Sequence, residues 1–572
     1  MSEKLYKYIE ITDLKDMMNK TRALYNDAPA YIIKLKKDEY KIYSHEDVRA
    51  MVDALGTALI DIGLKGKRIA VIGPNRMEWE IAYLSVVCGT GTIVPLDKSL
   101  PDNELESLIE RSEVEAIFYS KEYEERLMKI KYSHTNKLKH LISMDNPIHS
   151  EGIYSQSELI EKGRRLIKEG NKAFVEEKIN PEEMSIMLFT SGTTSASKVV
   201  ALSHKNIVSN LMALGSILNV NQGDVFLSVL PVHHAFECTV GFLFALYKGG
   251  QTAFCDGLRH ISENLKEYKV SVLACVPGIY ERLIGSACKK VEKNGKIKNI
   301  LEKEEQCKNL SLTERKKIFK EIHDEFGGNI KLLISGAAAL DPKIEEKYIN
   351  FGFPLVQGYG LTETSPVIGV GTEKEHRIGS IGKPVPGVEV KIMDSNSEGI
   401  GELVVKGPNV MMEYYEDKKA TKEALQDGWF HTGDLAQIDD DGYIFIRGRK
   451  KSVIVLKNGK NIFPEEIENL VNKIEGVKES FIFGKQLSDD KDDIKINCKI
   501  VFDRPVVQET YKVFDDKEIN TVLSNKVKEI NKAMPPYKAI RGLVFTEDPL
   551  IKTSTNKIKR QDNLDAIRKL GY

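Results

Sequence analysis

The sequence predicts an α/β protein with a large N-terminal domain of layered α/β subdomains, a small β subdomain and a small α+β C-terminal domain. Short apolar runs alternate with amphipathic helices through most of the chain, which is typical of parallel α/β layers. From about Gly379 the predicted strands become short and are punctuated by glycine. Ligands of such sheets bind at the carboxyl ends of the strands, where we therefore expect the functional residues.

The N-terminal layers are predicted from a strand–helix–strand rhythm. Residues 68–73 and 91–96 are predicted strands on either side of a helix over 78–87. The apolar run 240–247 is predicted to be a buried core segment. The rhythm returns in strands near 186–189, 270–274 and 330–334 and in a helix over 204–218.

A basic helical insert, at about 280–328, interrupts this rhythm. Residues 289–320 hold 11 Lys and Arg against 5 Glu, a net charge of +6. A solvated helical surface is the favoured interpretation. A phosphate-rich partner or an anionic membrane surface is the alternative.

The last part of the chain is predicted to form two smaller units. Strands at 388–392, 401–405 and 443–446 indicate the β subdomain. The charged segment 447–452 is the predicted boundary, which divides the chain into domains 1–449 and 450–572. The second domain is predicted to contain helices 464–474 and 517–533 and strands 479–484 and 495–502.

Composition excludes several classes of protein. A net charge of -1 over 572 residues argues against a dedicated nucleic-acid binder. No apolar run approaches the roughly 20 residues of a membrane span, and the first residues lack the apolar core of a signal peptide. The seven cysteines have neither paired nor metal-binding spacing. We therefore expect a cytoplasmic protein.

Residues 190–198 form the first motif. Six of these nine residues carry hydroxyl groups, and Lys198 closes the run. Hydroxyl and backbone N–H groups can surround a polyphosphate while a lysine offsets its charge. A Walker loop needs Gly before its Lys and Ser or Thr after it, but Ser197 and Val199 stand there. A Ser/Thr-rich surface loop is the alternative.

Four further motifs follow in the sequence. In 357–364, Tyr359 can stack on a base, Thr362 can donate to a phosphate and Glu363 can hold Mg²⁺. In 427–434, Asp434 is predicted to follow a strand turn and to accept the hydroxyls of a ribose. For each of these two motifs taken singly, a turn or a helix cap is the favoured interpretation. The charged segments 447–468 and 552–560 complete the set, and a solvated surface is their alternative interpretation.

Together, in this order, the five motifs resemble the AMP-forming acyl-adenylating superfamily of acyl-CoA synthetases, luciferases and adenylation domains. The resemblance covers roughly residues 25–570. Two features favour long-chain fatty-acid–CoA ligases within it. One is the helical insert between His234 and the segment 335–340, and the other is the amino-acid sequence of residues 454–464.

The resemblance implies a role for individual residues. His234 would lie beside the reacting carboxylate, and Lys557 and Lys198 would be catalytic. Lys451 would be the hinge of a mobile C-terminal domain. The phosphates of ATP would be bound by Thr190, Ser191, Gly192, Thr193, Thr194, Lys198 and Thr362, adenine by Gly336, Ala337, Ala338, Gln357, Gly358, Tyr359 and Gly360, ribose by Asp434 and Arg449, Mg²⁺ by Glu363 and Thr190, and CoA beside Lys457, Asn458 and Gly459.

The sequence also departs from the family pattern. Ser195, Ser197 and Val199 stand where the family has Gly, Pro and Gly. Ile551 and Asn556 stand where it has Pro and Gly. Asn tolerates the left-handed backbone that Gly would adopt, so Asn556 is a mild change.

The implied reaction has two steps and needs ATP, Mg²⁺ and CoA. A fatty carboxylate attacks the α-phosphate of ATP and releases pyrophosphate, and the acyl group then passes to CoA after the C-terminal domain rotates. Delivery to a carrier-protein pantetheine and a nucleotide-binding pseudoenzyme are the alternatives. Peripheral contact with the inner membrane surface stays open. The oligomeric state, a monomer or a homodimer, also stays open.

Overall fold

The computed structural model describes residues 5–133, 136–145, 152–190, 197–293, 304, 307, 310–375, 377–456, 461–486, 494–552 and 558–569. Its strands, in chain order, are β1 Pro29–Lys36, β2 Glu39–Ser44, β3 Lys67–Ile72, β4 Gly91–Pro95, β5 Ala116–Tyr119, β6 His140–Ser143, β7 Ile153–Ser155, β8 Met184–Thr190, β9 Lys198–Ser203, β10 Val225–Ser228, β11 Gln251–Phe254, β12 Val272–Cys275, β13 Leu332–Ser335, β14 Leu355–Gly360, β15 Val367–Val370, β16 Lys383–Pro384, β17 Glu389–Met393, β18 Gly401–Lys406, β19 Glu413–Tyr414, β20 Leu425–Gln426, β21 Trp429–Ile438, β22 Ile444–Arg449, β23 Ile454–Val455, β24 Asn461–Ile462, β25 Val477–Gln486, β26 Ile494–Phe502 and β27 Gly542–Thr546.

Helices separate most of these strands, as the apolar periodicity predicts. The α-helices, in chain order, are α1 Leu14–Tyr25, α2 His45–Asp61, α3 Met77–Ser85, α4 Asp102–Arg111, α5 Glu124–Tyr132, α6 Gln156–Lys168, α7 His204–Ile217, α8 Phe244–Tyr247, α9 Ile261–Glu267, α10 Pro277–Lys293, α11 Leu312–Ile318, α12 Lys320–Glu325, α13 Pro342–Asn350, α14 Lys418–Ala424, α15 Pro464–Val471, α16 Arg504–Tyr511, α17 Asp516–Ala533 and α18 Arg560–Lys569. Wider π-helical turns extend α3 over Val86–Thr90 and precede α8 over Glu237–Leu243.

Two large sheets form the N-terminal part of the molecule. One has the order β19-β9-β8-β4-β3-β5-β6-β7 and the other the order β16-β15-β14-β13-β12-β10-β11-β1-β2. The central strands of both sheets are parallel, whereas β9 and β15 run antiparallel to β8 and β14. The predicted parallel α/β layers are therefore confirmed, with antiparallel strands added at the edges.

The core lies between these sheets and their helices. One hydrophobic cluster joins Val71 and Ile93 of the first sheet to Phe226 and Val272 of the second. The segment 240–247 is buried in that cluster, which confirms its prediction as a core segment. Burying apolar surface on this scale favours folding at about 25 cal/mol per Å².

Local signals explain why several predicted elements form. The helix α7 begins after Ser203, whose hydroxyl accepts from the N–H of Asn206 while the Asn206 side chain accepts from the N–H of Ser203. This reciprocal cap satisfies two backbone donors at the start of a helix. The predicted strand 68–73 and helix 204–218 thus appear within one residue of the observed β3 and α7.

The basic insert lies in the crossover between two parallel strands. The chain leaves β12, runs through α10, α11 and α12, and returns in β13 beside β12. The described parts of the insert are helical, and α10 begins at Pro277, slightly before the predicted start. The insert is therefore a lengthened strand-to-strand connection on one face of the second sheet.

The smaller units also follow the predicted order. A five-stranded antiparallel sheet joins β17, β18, β21 and β20, with β22 beside β21. After residue 453, the described apolar residues form two clusters of their own around the sheet β25-β26-β27. These clusters support the division at 449/450, which stays a prediction. None of the described helices combines the length and apolar character needed to cross a membrane.

Candidate active site

Three of the predicted nucleotide-binding residues meet in one cluster. The Tyr359 hydroxyl donates to the Asp434 carboxylate, and Arg449 Nε lies 2.8 Å from Asp434 Oδ1. Asp434 and Arg449 face each other in the β21–β22 ladder, so the register of these strands fixes their pairing. Asp434 is only 3% exposed, and its charge is compensated by Arg449. The cluster offers a fixed, partly neutralised acceptor for hydroxyl groups.

The position of Asp434 corrects one prediction. Asp434 lies inside the long strand β21 rather than after a strand turn. The pairing with β18 shifts between Glu402 and Val404, and Gly433 has a φ of +70°. An irregularity of this kind re-aims the next side chain, and glycine supplies the left-handed backbone that it requires. The Gly433 N–H donates to Glu402 Oε1 at 3.1 Å, which holds the irregularity in place.

The predicted adenine residues lie at neighbouring strand ends. Ser335 of β13 pairs with Gln357 of β14, so Gly336 and Gly358 follow at the same edge of the sheet. A Cβ added to Gly336 would lie 2.9 Å from the Phe236 ring, so a larger residue here would displace that ring. Ala337 and Ala338 are exposed beyond this contact, and Gly360 ends β14. The predicted strand-end turn at 336–338 is confirmed.

The Gln357 side chain has a structural role within this turn. Its Oε1 accepts from the Leu340 N–H at 2.7 Å, and its Nε2 donates to the Ser380 carbonyl at 3.1 Å. Because the amide is buried and occupied by backbone groups, the side chain fastens the turn 336–340 to β14. Its contribution to an adenine pocket is therefore to position that turn.

A second cluster contains the residues predicted for phosphate and metal. Thr190 ends β8 and Lys198 begins β9 directly opposite it. Lys198 Nζ lies 4.3 Å from the centroid of the Tyr414 ring, and the Tyr414 hydroxyl donates to Glu363 Oε1 at 2.8 Å. Thr362 lies in the same short turn as Glu363, Thr362–Thr364. The predicted lysine and glutamate are thus joined through one tyrosine.

Tyr414 is a residue that the sequence analysis missed. It lies in the two-residue strand β19, which pairs with β9 more than 200 positions earlier, as the partners Tyr414 and Val200 show. Two residues give no usable periodicity, so no local pattern identifies this strand. Burial and the neighbouring Glu363 carboxylate raise the pKa of Tyr414 well above its ordinary range. The phenol therefore remains a hydrogen-bond donor at neutral pH.

The donor set fits Mg²⁺ carried mainly by a nucleotide. Glu363 and Thr190 provide a carboxylate and a hydroxyl oxygen, and such hard ligands suit Mg²⁺. Among the described residues, Glu363 makes no ion pair of 4.0 Å or less, so its charge is available to a cation. No group of three or more described His, Cys, Asp or Glu side chains could hold a metal by itself. This arrangement suits an ion that retains phosphate and water ligands.

His234 lies at the start of a buried helical segment. Its ring centroid is 4.2 Å from that of His233, and the Cys238 N–H donates to the His234 carbonyl at 2.9 Å. The segment before it is held by Asn75, whose Nδ2 donates to the Leu230 carbonyl at 2.6 Å. His234 therefore stands on a braced turn at the carboxyl end of β10.

Glu237, one helical turn after His234, was also missed by the sequence analysis. Its side chain is 1% exposed, and Oε1 accepts from the Ser228 hydroxyl at 2.7 Å. Burial raises the pKa of Glu237 to about 8. Its carboxyl group is therefore largely protonated at neutral pH and links the turn before His234 to the helix after it.

The predicted hinge region begins at the end of β22. Lys451 is exposed in the short turn Lys450–Ser452, and Lys450 Nζ lies 2.8 Å from Glu402 Oε2. Glu402 thus connects the hinge region to the irregularity that carries Asp434. The remaining predicted site residues, Ser191, Gly192, Thr193, Thr194, Lys457, Asn458, Gly459 and Lys557, lie outside the described residues.

Relatives of known function resemble the chain over most of its length. It is 26% identical to human long-chain-fatty-acid–CoA ligase 1, with 98% of this chain and 86% of the relative covered. It is 28% identical to fatty acyl-CoA synthetase A of Dictyostelium discoideum, with 79% and 71% covered.

Solved structures agree with the fold. ATP-bound MatB from Rhodopseudomonas palustris matches with a TM-score of 0.76 at 22% identity and covers 98% of this chain and 100% of that chain. The anthranilate CoA ligase AuaEII in complex with anthranoyl-AMP also matches with a TM-score of 0.76, at 19% identity, with 99% and 98% covered. The model of the AMP-binding enzyme family matches residues 19–415. The predicted resemblance is thereby confirmed: the chain belongs to the AMP-binding enzyme family.

Proposed function

We propose that the protein is an AMP-forming long-chain fatty-acid–CoA ligase. The observation that carries this proposal is a pair of tyrosine-bound carboxylates, Asp434 and Glu363, in a chain of the AMP-binding enzyme family. Asp434 suits the ribose of ATP, and Glu363 suits the cation that accompanies its phosphates. The names of the curated relatives suggest the acid and the thiol.

In the first step, the chain holds ATP for attack by a fatty carboxylate. Asp434 and Arg449 bind the ribose hydroxyls, and the turn at Gly336 and the face of Tyr359 bound the adenine. The carboxylate oxygen attacks the α-phosphorus, the bond to the β-phosphate oxygen breaks, and acyl-AMP and pyrophosphate form. Glu363 and Thr190 would hold Mg²⁺, which would neutralise charge at the phosphates.

Cationic side chains are needed because a carboxylate and a polyphosphate repel each other. Lys198, the last residue of the motif and the first of β9, offsets charge on the phosphates. Lys557 bridges the carboxylate and the α-phosphate, and this role rests on the sequence resemblance. His234 lies beside the incoming carboxylate on the braced turn. These residues lower the cost of bringing two anions together, which is the main electrostatic task of the step.

In the second step, the CoA thiol attacks the acyl carbonyl and AMP leaves, which gives acyl-CoA. By the sequence resemblance, the segment Lys457–Gly459 would line the approach of CoA, and Lys451 would be the hinge that brings it to the site. The ion pair between Lys450 and Glu402 ties the start of this hinge to the strand of Asp434. Contact with a membrane, where long-chain acids partition, is peripheral in this proposal.

The test supplies the purified protein with ATP, Mg²⁺ and a panel of acids from acetate to palmitate. Parallel reactions contain free CoA or a carrier protein that bears 4′-phosphopantetheine. Mass spectrometry measures AMP and both thioesters. We expect AMP and acyl-CoA in equal amounts, with palmitate turned over faster than acetate. Thioester on the carrier protein alone would mean that its pantetheine, and not CoA, is the acceptor. Equal turnover of acetate and palmitate would contradict the long-chain preference.

A further inference from the structure

Tyr414 contacts both residues that the proposed function assigns to phosphate and metal. Its hydroxyl donates to Glu363 Oε1 at 2.8 Å, and its ring faces Lys198 Nζ at 4.3 Å from the centroid. The side chain is 6% exposed, so its position is set by packing. One tyrosine thus joins a cationic and an anionic residue that lie far apart in the sequence.

The backbone holds all three residues in one unit. Tyr414 pairs with Val200 in the β19–β9 ladder, and β9 begins with Lys198. On the other side, the Met411 N–H donates to the Glu363 carbonyl at 2.8 Å. The segment that carries Tyr414 is therefore bonded to the strand of Lys198 and to the turn of Glu363.

The two contacts leave both charges usable. The hydroxyl occupies one oxygen of Glu363 and fixes the carboxylate plane. No described residue forms an ion pair with this carboxylate, and we assign its second oxygen to a cation. The aromatic ring attracts the Lys198 ammonium but leaves its positive charge in place. A carboxylate partner would neutralise that charge.

We propose that Tyr414 is a positioning residue that sets Lys198 and Glu363 together for magnesium-bound ATP. The hydroxyl acts on the metal through Glu363, and the ring acts on the phosphates through Lys198. The proposal rests on the proposed function, since it assumes that the site binds ATP. It assigns separate tasks to the two parts of one side chain, and these parts can be removed separately.

The test uses Tyr414→Phe, which removes the hydroxyl, and Tyr414→Leu, which also removes the ring. Tyr415→Phe is the matched control, because the Tyr415 hydroxyl and ring contact Arg68 instead, at 2.7 Å and 4.7 Å. Tyr415 follows directly after β19, and its contacts with Arg68 separate it from the pair that Tyr414 joins. Titration calorimetry of the full-length proteins with α,β-methylene-ATP, in Mg²⁺ or in EDTA, measures nucleotide affinity without turnover.

In EDTA, we expect Tyr414→Phe to bind the nucleotide as tightly as the wild type does. The increase in nucleotide affinity on adding Mg²⁺ should be about ten-fold smaller in this variant. The reason is that residues bonded to metal-binding carboxylates typically affect metal binding by about 10–100-fold. Tyr414→Leu should in addition bind roughly five-fold more weakly in EDTA, because the contact that holds Lys198 is lost. Tyr415→Phe should match the wild type in both conditions. This pattern separates the hydroxyl from the ring.

Three results would overturn the proposal. A wild-type response of Tyr414→Phe to Mg²⁺ would exclude the hydroxyl's role, even if Tyr414→Leu failed to fold. Equal binding of Tyr414→Leu and Tyr414→Phe in EDTA would exclude the ring's role. An equal loss of Mg²⁺-dependent affinity in Tyr415→Phe would show that the effect is not specific to Tyr414. A wild-type protein that does not bind the nucleotide at all would instead overturn the proposed function itself.

Discussion

The two carboxylates of the site are held in similar ways but differ in charge compensation. Asp434 and Glu363 each accept from a tyrosine hydroxyl, of Tyr359 and Tyr414 respectively. Asp434 is buried and paired with Arg449 at 2.8 Å. Glu363 is half-buried, and the lysine of its cluster lies on the tyrosine ring instead of on the carboxylate.

This difference indicates what each carboxylate can bind. A neutralised, buried carboxylate favours neutral hydroxyl donors, because no excess charge attracts an ion. A carboxylate without a paired cation favours a hard divalent cation. The comparison thus supports the proposal that the Asp434 cluster binds the ribose and the Glu363 cluster the metal-bound phosphates.

The largest expected effect lies at Lys557, which the sequence resemblance makes the catalytic lysine. Lys557→Ala should reduce acyl-AMP formation by about 10³-fold, since a positioned cation at the developing charge is worth that order of rate. Pyrophosphate release from ATP and palmitate measures this step. Thioester formation from supplied palmitoyl-AMP should be spared. Equal loss of both half-reactions would contradict the role given to Lys557. Neutralisation of the phosphate charge would then be the task of the Glu363 cluster alone.

Glu363→Gln tests the metal side of the comparison. The amide keeps an acceptor for Tyr414 but loses the charge, so the rate of adenylation should fall by about 100-fold and need more Mg²⁺. Initial rates across a Mg²⁺ series measure both effects. The affinity for ATP in EDTA should stay within about two-fold of the wild type. An unchanged Mg²⁺ dependence would mean that Glu363 does not hold the ion.

Asp434→Asn tests the ribose side. A hydrogen bond to a charged acceptor is worth about 1.5–3 kcal/mol, so KM for ATP should rise about ten-fold or more while the Mg²⁺ dependence stays unchanged. The preference of the wild type for ATP over 2′-deoxy-ATP should shrink in this variant. If Asp434→Asn changed the Mg²⁺ dependence as strongly as Glu363→Gln, the two clusters would not be separate.

The last prediction concerns stability instead of catalysis, at Glu237, a third carboxyl group that burial keeps protonated. Its pKa of about 8 in the folded protein lies above its ordinary value of 4.5, so unfolding releases a proton between these pH values. Stability therefore falls as pH rises through this window, by roughly 1.4 kcal/mol per pH unit. Glu237→Gln removes this dependence. Urea unfolding at pH 5.5 and 7.5 should show a relative gain for the variant of about 2–3 kcal/mol at the higher pH. Parallel pH profiles would contradict the raised pKa.

The sequence predicts the continuous elements well because their signals are local. The strand β3 and the helix α7 are visible as an apolar run and as a capped amphipathic segment. The order of motifs also identifies the family, and it predicts the roles of both carboxylates. Residues that follow directly on a strand, such as Gly336, are therefore placed correctly from sequence alone.

The sequence does not predict contacts that depend on distant pairing. Asp434 lies inside a strand because the pairing of β21 with β18 shifts there, and a shift in register has no local signature. Tyr414 reaches Glu363 because two residues of β19 pair with β9. Gln357 resembles a ligand in the motif, yet its amide is taken by Leu340 and Ser380. These features arise from tertiary structure.

The most direct test of the account follows an oxygen atom through the reaction. Palmitate labelled with ¹⁸O in its carboxylate is supplied with ATP, Mg²⁺ and CoA, and mass spectrometry locates the label. If the carboxylate attacks the α-phosphate, the bridging oxygen stays with the nucleotide, and each AMP carries one ¹⁸O. Label in inorganic phosphate together with ADP, or unlabelled AMP, would contradict the assignment of this site to acyl adenylation.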